Sequence, residues 1–240
     1  AGYDQIAVDA GEYQAVFDHN PSVVLADQVS EPQVFDLSGV YEQQLHVLRE
    51  QAYLSHCGVH LPPSEKMPRL YLTEEERGWA QNFLGEGKWI VLDIAYPIKA
   101  KMTGRLHGKQ IIWQRAFWPP RVWSSLCEAL SERGFSTVQI GNEKVGAIPN
   151  VTLDLRNQTS LRQLFSIIAT CQYFVGFESG PMHVAQALGI PGIALFHPIH
   201  PFEALKPPGS KILHLHRRPG DALNWMEILT KLERLWSACA

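Results

Sequence analysis

The sequence predicts an α/β fold built on a parallel, doubly wound sheet, and three observations carry that expectation. From about Lys88 onward, apolar runs of strand length alternate with stretches whose apolar residues recur every three or four positions. The stretch from Phe174 to Phe196 reads as strand, tight turn, helix, turn and strand in series. With 240 residues, 45% of them hydrophobic, the chain can bury a substantial core as one large or two small domains.

In chain order, Gln5 to Val8 and Ser22 to Leu25 are strand candidates around a helix near Glu12 to Phe17, and Tyr41 to Ser55 is a longer helix. Leu61 to Pro68 has the composition of a linker. Thr73-Glu74-Glu75-Glu76 is a capping box with acids in its first turn, opening a helix to about Leu84. Trp89 to Ala95 is an apolar strand, and Arg121 to Arg133 a helix with Val122, Leu126 and Leu130 at four-residue spacing. Thr137 to Ile140 and Val151 to Leu155 are strands, and Ser160 to Cys171 is a helix with Leu161, Leu164, Phe165 and Ile168 on one stripe. After the strand, helix and strand of the motif, Ile212 to His216 adds a last strand. Trp225, Ile228, Leu229, Leu232 and Trp236 mark a C-terminal amphipathic helix.

Composition removes several classes of function. The formal charge of −3 gives no broad basic field for nucleic acid. No apolar run approaches the roughly 20 residues of a membrane span, and the first twenty residues lack a basic region leading into an apolar one; the expected location is cytoplasmic. Cys57, Cys127, Cys171 and Cys239 are scattered without a CxxC pair, as expected of reduced, structural thiols. No GxGxxG joins a strand to a helix, which argues against a nicotinamide-dependent enzyme. Because the chain starts at Ala1 and not at Met, a processed, trimmed or partial product is expected.

The chemistry centres on Glu178-Ser179-Gly180-Pro181-Met182-His183. Tyr173 to Phe177 has strand character, Pro181 suits the first helical position, where its missing N–H costs nothing, and Gly189 followed by Pro191 ends the helix. The free N–H groups of Met182, His183 and their neighbours, with the positive end of the helix dipole, would face the C-terminal edge of the sheet, where α/β folds bind ligands. A phosphate is the natural guest. His183, in the first turn, is expected to be a neutral imidazole and a hydrogen-bond partner more than a base; a purely structural histidine is the alternative.

Ser-Gly-Pro-Met-His-x-Ala-x-Ala-Leu-Gly-Ile-Pro followed by Ala-Leu-Phe resembles the nucleotide-sugar-binding signature of the bacterial heptosyltransferases, glycosyltransferase family nine. The resemblance continues less strongly from about Trp89 to the C-terminus and faintly before it. It implies the two-domain GT-B fold, with residues 1–72 a partial, acceptor-side α/β domain, and 73–240 a linking helix and a complete Rossmann-like nucleotide-sugar-binding domain. The N-terminal part looks too short for a whole domain, so the family's opening strand and glycine-rich loop are expected to be absent. The implied activity is inverting, metal-independent transfer of a sugar, heptose in the usual case, from an ADP-linked donor to a saccharide or lipopolysaccharide-type acceptor. No further cofactor is implied. Such work would bring the protein to the inner face of the inner membrane as a peripheral contact.

The resemblance assigns donor binding to Glu178, Ser179, Gly180, Pro181, Met182 and His183. The family usually carries Asp where this chain has Glu178, and the extra methylene pushes the carboxylate about 1.5 Å further into the site. Glu143, after the Thr137 strand, is placed to accept the ribose hydroxyls, as acidic residues do in dinucleotide folds, or is a solvated turn residue; the resemblance favours the ribose. Lys99, Lys101, Arg105, His107, Lys109 and Arg115 form a basic loop that could neutralise a leaving diphosphate, or that is a flexible solvated loop, the expectation for most of its single lysines. Many relatives carry a lysine two residues before the Trp-Pro at 118–119; here it is Ala116, and Lys101 or Arg115 would take its place.

His214-x-His216 and His197-x-x-His200 lack accompanying carboxylates or cysteines, so no metal site is assigned. Trp113, Trp118 and Trp123 read as core or interface residues. The family's catalytic aspartate follows its first N-terminal strand; no base is assigned, Asp9 and Asp18 being the acids nearest that position. A non-catalytic nucleotide-sugar-binding module or subunit is therefore the alternative reading. On that view the chain binds donor without transferring sugar beyond slow hydrolysis.

Overall fold

A computed structural model describes residues 6–8, 11–21, 23–25, 55–56, 68–94, 101–106, 109–114, 120–142, 145–196, 210–216 and 224–239. Near the N-terminus, β1 (Ile6–Val8) pairs in parallel with β2 (Val23–Leu25), and a 3-10 turn, Gly11–Val16, lies between them. The expected helix from Tyr41 to Ser55 and the linker from Leu61 to Pro68 lie outside the described residues except at their last positions.

The first long helix, α1 (Glu74–Leu84), starts on the anticipated box: Glu76 N–H donates to Thr73 Oγ1 at 3.1 Å, and Thr73 N–H donates to Glu76 Oε2 at 2.8 Å. There follow β3 (Lys88–Asp93), β4 (Lys101–Leu106), β5 (Lys109–Gln114), α2 (Pro120–Ser131), β6 (Phe135–Ile140), β7 (Leu153–Asp154), α3 (Leu161–Thr170), β8 (Tyr173–Phe177), α4 (Gly180–Ala187), β9 (Gly192–Phe196), β10 (Ile212–His216) and α5 (Trp225–Cys239). A second capping box, Ser160 with Gln163, opens α3. Gly189 ends α4 at φ 71, a backbone conformation that costs glycine nothing.

One expectation changes. The basic stretch read as a loop contains an antiparallel hairpin, β4 with β5, paired from Lys101↔Gln114 to Leu106↔Lys109. The register leaves only His107 and Gly108 between the strands, the length of a tight hairpin connection. Its charge density masked a period-2 pattern in which Met102 and Leu106 alternate with Lys101, Thr103 and Arg105. β7 is also shorter than the expected Val151 to Leu155 strand.

Six strands form one sheet in the order β10-β9-β8-β3-β6-β7, with every pair parallel. Numbered along the chain as one to six, they run 6-5-4-1-2-3, the dinucleotide-fold order. Alternation along the strands separates two cores. Trp89, Val91, Val138, Ile140, Phe174, Ala194 and Phe196 pack toward α1, α3 and α4. Ile90, Leu92, Phe135, Tyr173, Val175, Ile193 and Leu195 pack toward α2 and α5.

The chain leaves β3 through α2, on one face, and leaves β8 through α4, on the other. Neighbouring strands whose connections depart to opposite faces open a crevice at their C-terminal ends, and β3 and β8 form that switch point. Close packing also fixes small residues within β8 and β9. A Cβ on Gly176 would lie 2.7 Å from the Asp93 carbonyl oxygen, and one on Gly192 would lie 2.1 Å from that of Phe174.

Candidate functional site

The switch-point crevice is lined by Asp93, the last residue of β3, and by the turn from β8 into α4. Ser179 is extended (φ −165, ψ 171) and caps α4: its Oγ accepts the Met182 N–H at 3.4 Å, and its carbonyl accepts that of His183 at 3.3 Å. The same hydroxyl donates to Asp93 Oδ2 at 2.5 Å, with the Phe177 carbonyl at 3.1 Å as a second acceptor. That short separation is characteristic of a hydroxyl on a carboxylate. Asp93 is 1% exposed. Sequence reading passed it over, because a single acid at the end of an apolar strand looks like a strand terminus until β3 lies beside β8.

Glu178 and His183 meet on the rim. Glu178 Oε1 is 3.7 Å from His183 Nε2, and the Glu178 N–H is fixed to the Leu195 carbonyl at 3.1 Å. His183 Nδ1 is 3.1 Å from Gln186 Oε1, and Gln186 Nε2 donates to Ser210 Oγ at 3.3 Å. An amide oxygen only accepts, so Nδ1 carries the hydrogen in this arrangement and Nε2 faces Glu178.

The structure thus brings Glu178, Ser179, Gly180, Pro181, Met182 and His183 together, with one change from expectation. The N–H groups of Met182 and His183, expected to be free for a ligand, are engaged in the cap. The Met182 side chain is fully buried in the core, and the exposed lip of the turn is Gly180.

Glu143 and Arg115 lie outside the described residues. Lys101 is the first residue of β4. Trp123 is in the core, 6.2 Å from the Phe177 ring, whereas Trp118 is outside the described residues. His214 stacks on Phe196 at 4.4 Å, and His197 and His200 are outside the described residues. Among the described residues, no three His, Cys, Asp or Glu side chains gather as a metal site. Cys127 and Cys171 are buried free thiols; burial pushes the Cys127 thiol up to about 11 and raises that of Cys171 as well. No described helix is long and apolar enough to cross a membrane.

Two further features escaped the sequence reading. Arg162, on α3, donates to both carboxylate oxygens of Glu76 at 2.6 Å, to the Tyr71 carbonyl at 2.8 Å and to the Ala15 carbonyl at 3.2 Å. It therefore ties α1 and the N-terminal 3-10 turn to α3. At the other end of the sheet edge, Asp154 and Arg156 form a bidentate pair beside the loop that leaves β6.

Comparison with known proteins identifies the family and the fold. The description glycosyltransferase family 9 (heptosyltransferase) matches residues 33–216. Lipooligosaccharide heptosyltransferase 2 of Haemophilus ducreyi is 33% identical over 108 residues, covering 39% of this chain and 30% of that enzyme. The structure of E. coli ADP-heptose lps heptosyltransferase II aligns with a TM-score of 0.53 at 22% identity, over 70% of this chain and 53% of that one. The family 9 glycosyl transferase of Veillonella parvula aligns with a TM-score of 0.62 at 16% identity, over 93% and 69%. The matched span is thus less than a third of the Haemophilus enzyme and about half of the E. coli chain, and the two structures share the fold. With the family match extending over most of its length, this chain belongs to glycosyltransferase family 9, the heptosyltransferases.

Proposed function

We propose that this chain carries the donor-binding part of a glycosyltransferase that moves a sugar, heptose in the first instance, from an ADP-linked donor to a saccharide or lipopolysaccharide-type acceptor. The observation that carries the reading is the capped N-terminus of α4 opening on the β3/β8 switch point. The donor diphosphate lies over Ser179 and Gly180. At 3.4 Å the Met182 N–H to Ser179 bond is long, and a phosphate oxygen can replace it. His183 and Glu178 line the sugar side, Glu143 takes the ribose, and Lys101 or Arg115 carries diphosphate charge. The transfer is inverting and needs no metal, since the helix dipole and basic side chains stabilise the leaving group. The domain division falls at residues 72 and 73, and the work is done at the inner face of the inner membrane.

Glu178 favours a second reading, a binding module without transfer. Its carboxylate is turned toward His183, so part of the polar rim is occupied by the protein itself. Thermal shift and calorimetry with ADP, UDP and GDP test the donor site. We expect stabilisation greatest with ADP, and no response to any of the three at millimolar concentration would overturn the reading.

A further inference from the structure

The N-terminal unit of β1, the 3-10 turn and β2 is joined to the rest of the chain by little apolar surface. Its strands are three residues each and pair in parallel with one another, and so short a pair has no stability of its own in water. None of the residues from Gln14 to Val24 whose exposure is described is buried, and Val16 is 38% exposed. The two cores of the sheet fill without this unit: among the described residues, the buried apolar side chains run from Ala80 to Leu232.

A guanidinium crosses that weak join. Arg162 donates to Glu76 Oε1 and Oε2, each at 2.6 Å, to the Tyr71 carbonyl at 2.8 Å and to the Ala15 carbonyl at 3.2 Å. These contacts are graded. The bonds to the carboxylate are short and charged on both sides, whereas the bond to Ala15 is at the long end of the range and charged on one side. Ala15 is therefore the first to let go, while Glu76 keeps the guanidinium in place. Arg162 is the second residue of α3, the helix that follows the C-terminal end of β7, so it stands at the sheet edge that carries Asp93 and Ser179. The 3-10 turn packs on α3, and α3 packs on α4, whose start lines the crevice.

We propose that Arg162 is a latch and the N-terminal unit a strap: β1, the 3-10 turn and β2 come off α3 as one body when the guanidinium releases the Ala15 carbonyl, with α1 and the sheet intact. Segments with few buried apolar contacts open in this way at a lower cost than unfolding of the whole. Because the tie stands at the crevice edge, its release changes access to that edge from the α3 side. Such a latch works whatever the crevice binds, and its failure would leave the donor-site reading standing.

Native-state hydrogen exchange followed by mass spectrometry tests this on the wild-type chain, Arg162→Lys and Glu76→Gln. In the wild type, amides of the N-terminal unit should exchange through an opening that depends less steeply on urea than the one that exposes β3 and β8, because less surface is uncovered. Lysine keeps a charge opposite Glu76 but cannot reach three segments at once. Arg162→Lys should therefore speed exchange in the N-terminal unit by about tenfold, the value of one hydrogen bond to a charged group. Glu76→Gln breaks a contact that survives the strap's opening, so β3 and β8 amides should speed up and those of the N-terminal unit should not. N-terminal amides that share the urea dependence of the sheet in the wild type, or that speed up with it in Glu76→Gln, would make the two one body and overturn the latch. Amides there that exchange at the free-peptide rate in the wild type, or that do not respond to Arg162→Lys, would overturn it equally. If Arg162→Lys does not fold, the wild-type urea dependence and Glu76→Gln still decide.

Discussion

Glu76→Gln isolates the contact that ties α1 to α3. Glutamine at the third helical position still completes the capping box with Thr73, so the helix start survives while the ion pair with Arg162 does not. The guanidinium hydrogen bonds of Arg162 are the main reason the Glu76 carboxyl falls from its ordinary 4.5 to about 2, and the capping bonds of Thr73 add to them. At about 1.4 kcal/mol per pH unit that is a ceiling of about 3 kcal/mol at neutral pH. The side chains keep 16% and 21% exposure, so solvent screening and the retained cap reduce the expected loss to about 1–2 kcal/mol. A carboxyl whose pKa is lowered on folding stabilises above its unfolded pKa and loses that contribution as the pH falls through its folded one. The wild-type advantage should therefore be full at pH 7 and above 5. About two-fifths of it should be gone by pH 3.5, and it should vanish near pH 2. Urea unfolding followed by tryptophan fluorescence at pH 7, 5, 4 and 3.5, wild type against variant, measures the difference directly. A difference that stays constant from pH 7 to 3.5, or one below about 0.3 kcal/mol at pH 7, would refute the argument, since exposed pairs reach that little.

Two further predictions concern the crevice and the packing of β8 against β9. Ser179→Ala removes a helix cap and the hydroxyl on Asp93 Oδ2 together, so it should cost about 2–3 kcal/mol in urea unfolding, where a cap alone costs about 1; Ser179→Thr should recover most of it. Gly192→Ala sets a methyl 2.1 Å from the Phe174 carbonyl oxygen and should destabilise by at least about 2 kcal/mol or force β8 and β9 apart, visible as a lowered Tm and weakened ADP binding.

What the sequence determined by itself is what neighbours along the chain decide. The Thr73 capping box, the strand–turn–helix around Gly180, the Gly189 stop and the apolar periodicity of α2, α3 and α5 are set by residues within four positions of one another, and these could be read directly; the Ser160 box is equally local and was passed over. The signature within 174–196 marked the family for the same reason: it is one contiguous strand, helix and strand. Period-2 alternation in the hairpin was local too, but its basic residues outweighed it.

Tertiary structure alone decided which distant residues meet. Asp93 and Ser179 are 86 positions apart and touch only because β3 and β8 pair in parallel at the switch point. Arg162 finds Glu76 across 86 positions and Ala15 across 147, and no spacing rule connects them. Gln139 reads as one polar residue in a strand until its amide meets the Gly146 carbonyl and the Ile148 N–H. Hydrogen bonds within a turn follow from backbone geometry fixed by local residue types. The partner of a buried charge or amide is fixed by strand order, which the whole chain's packing determines.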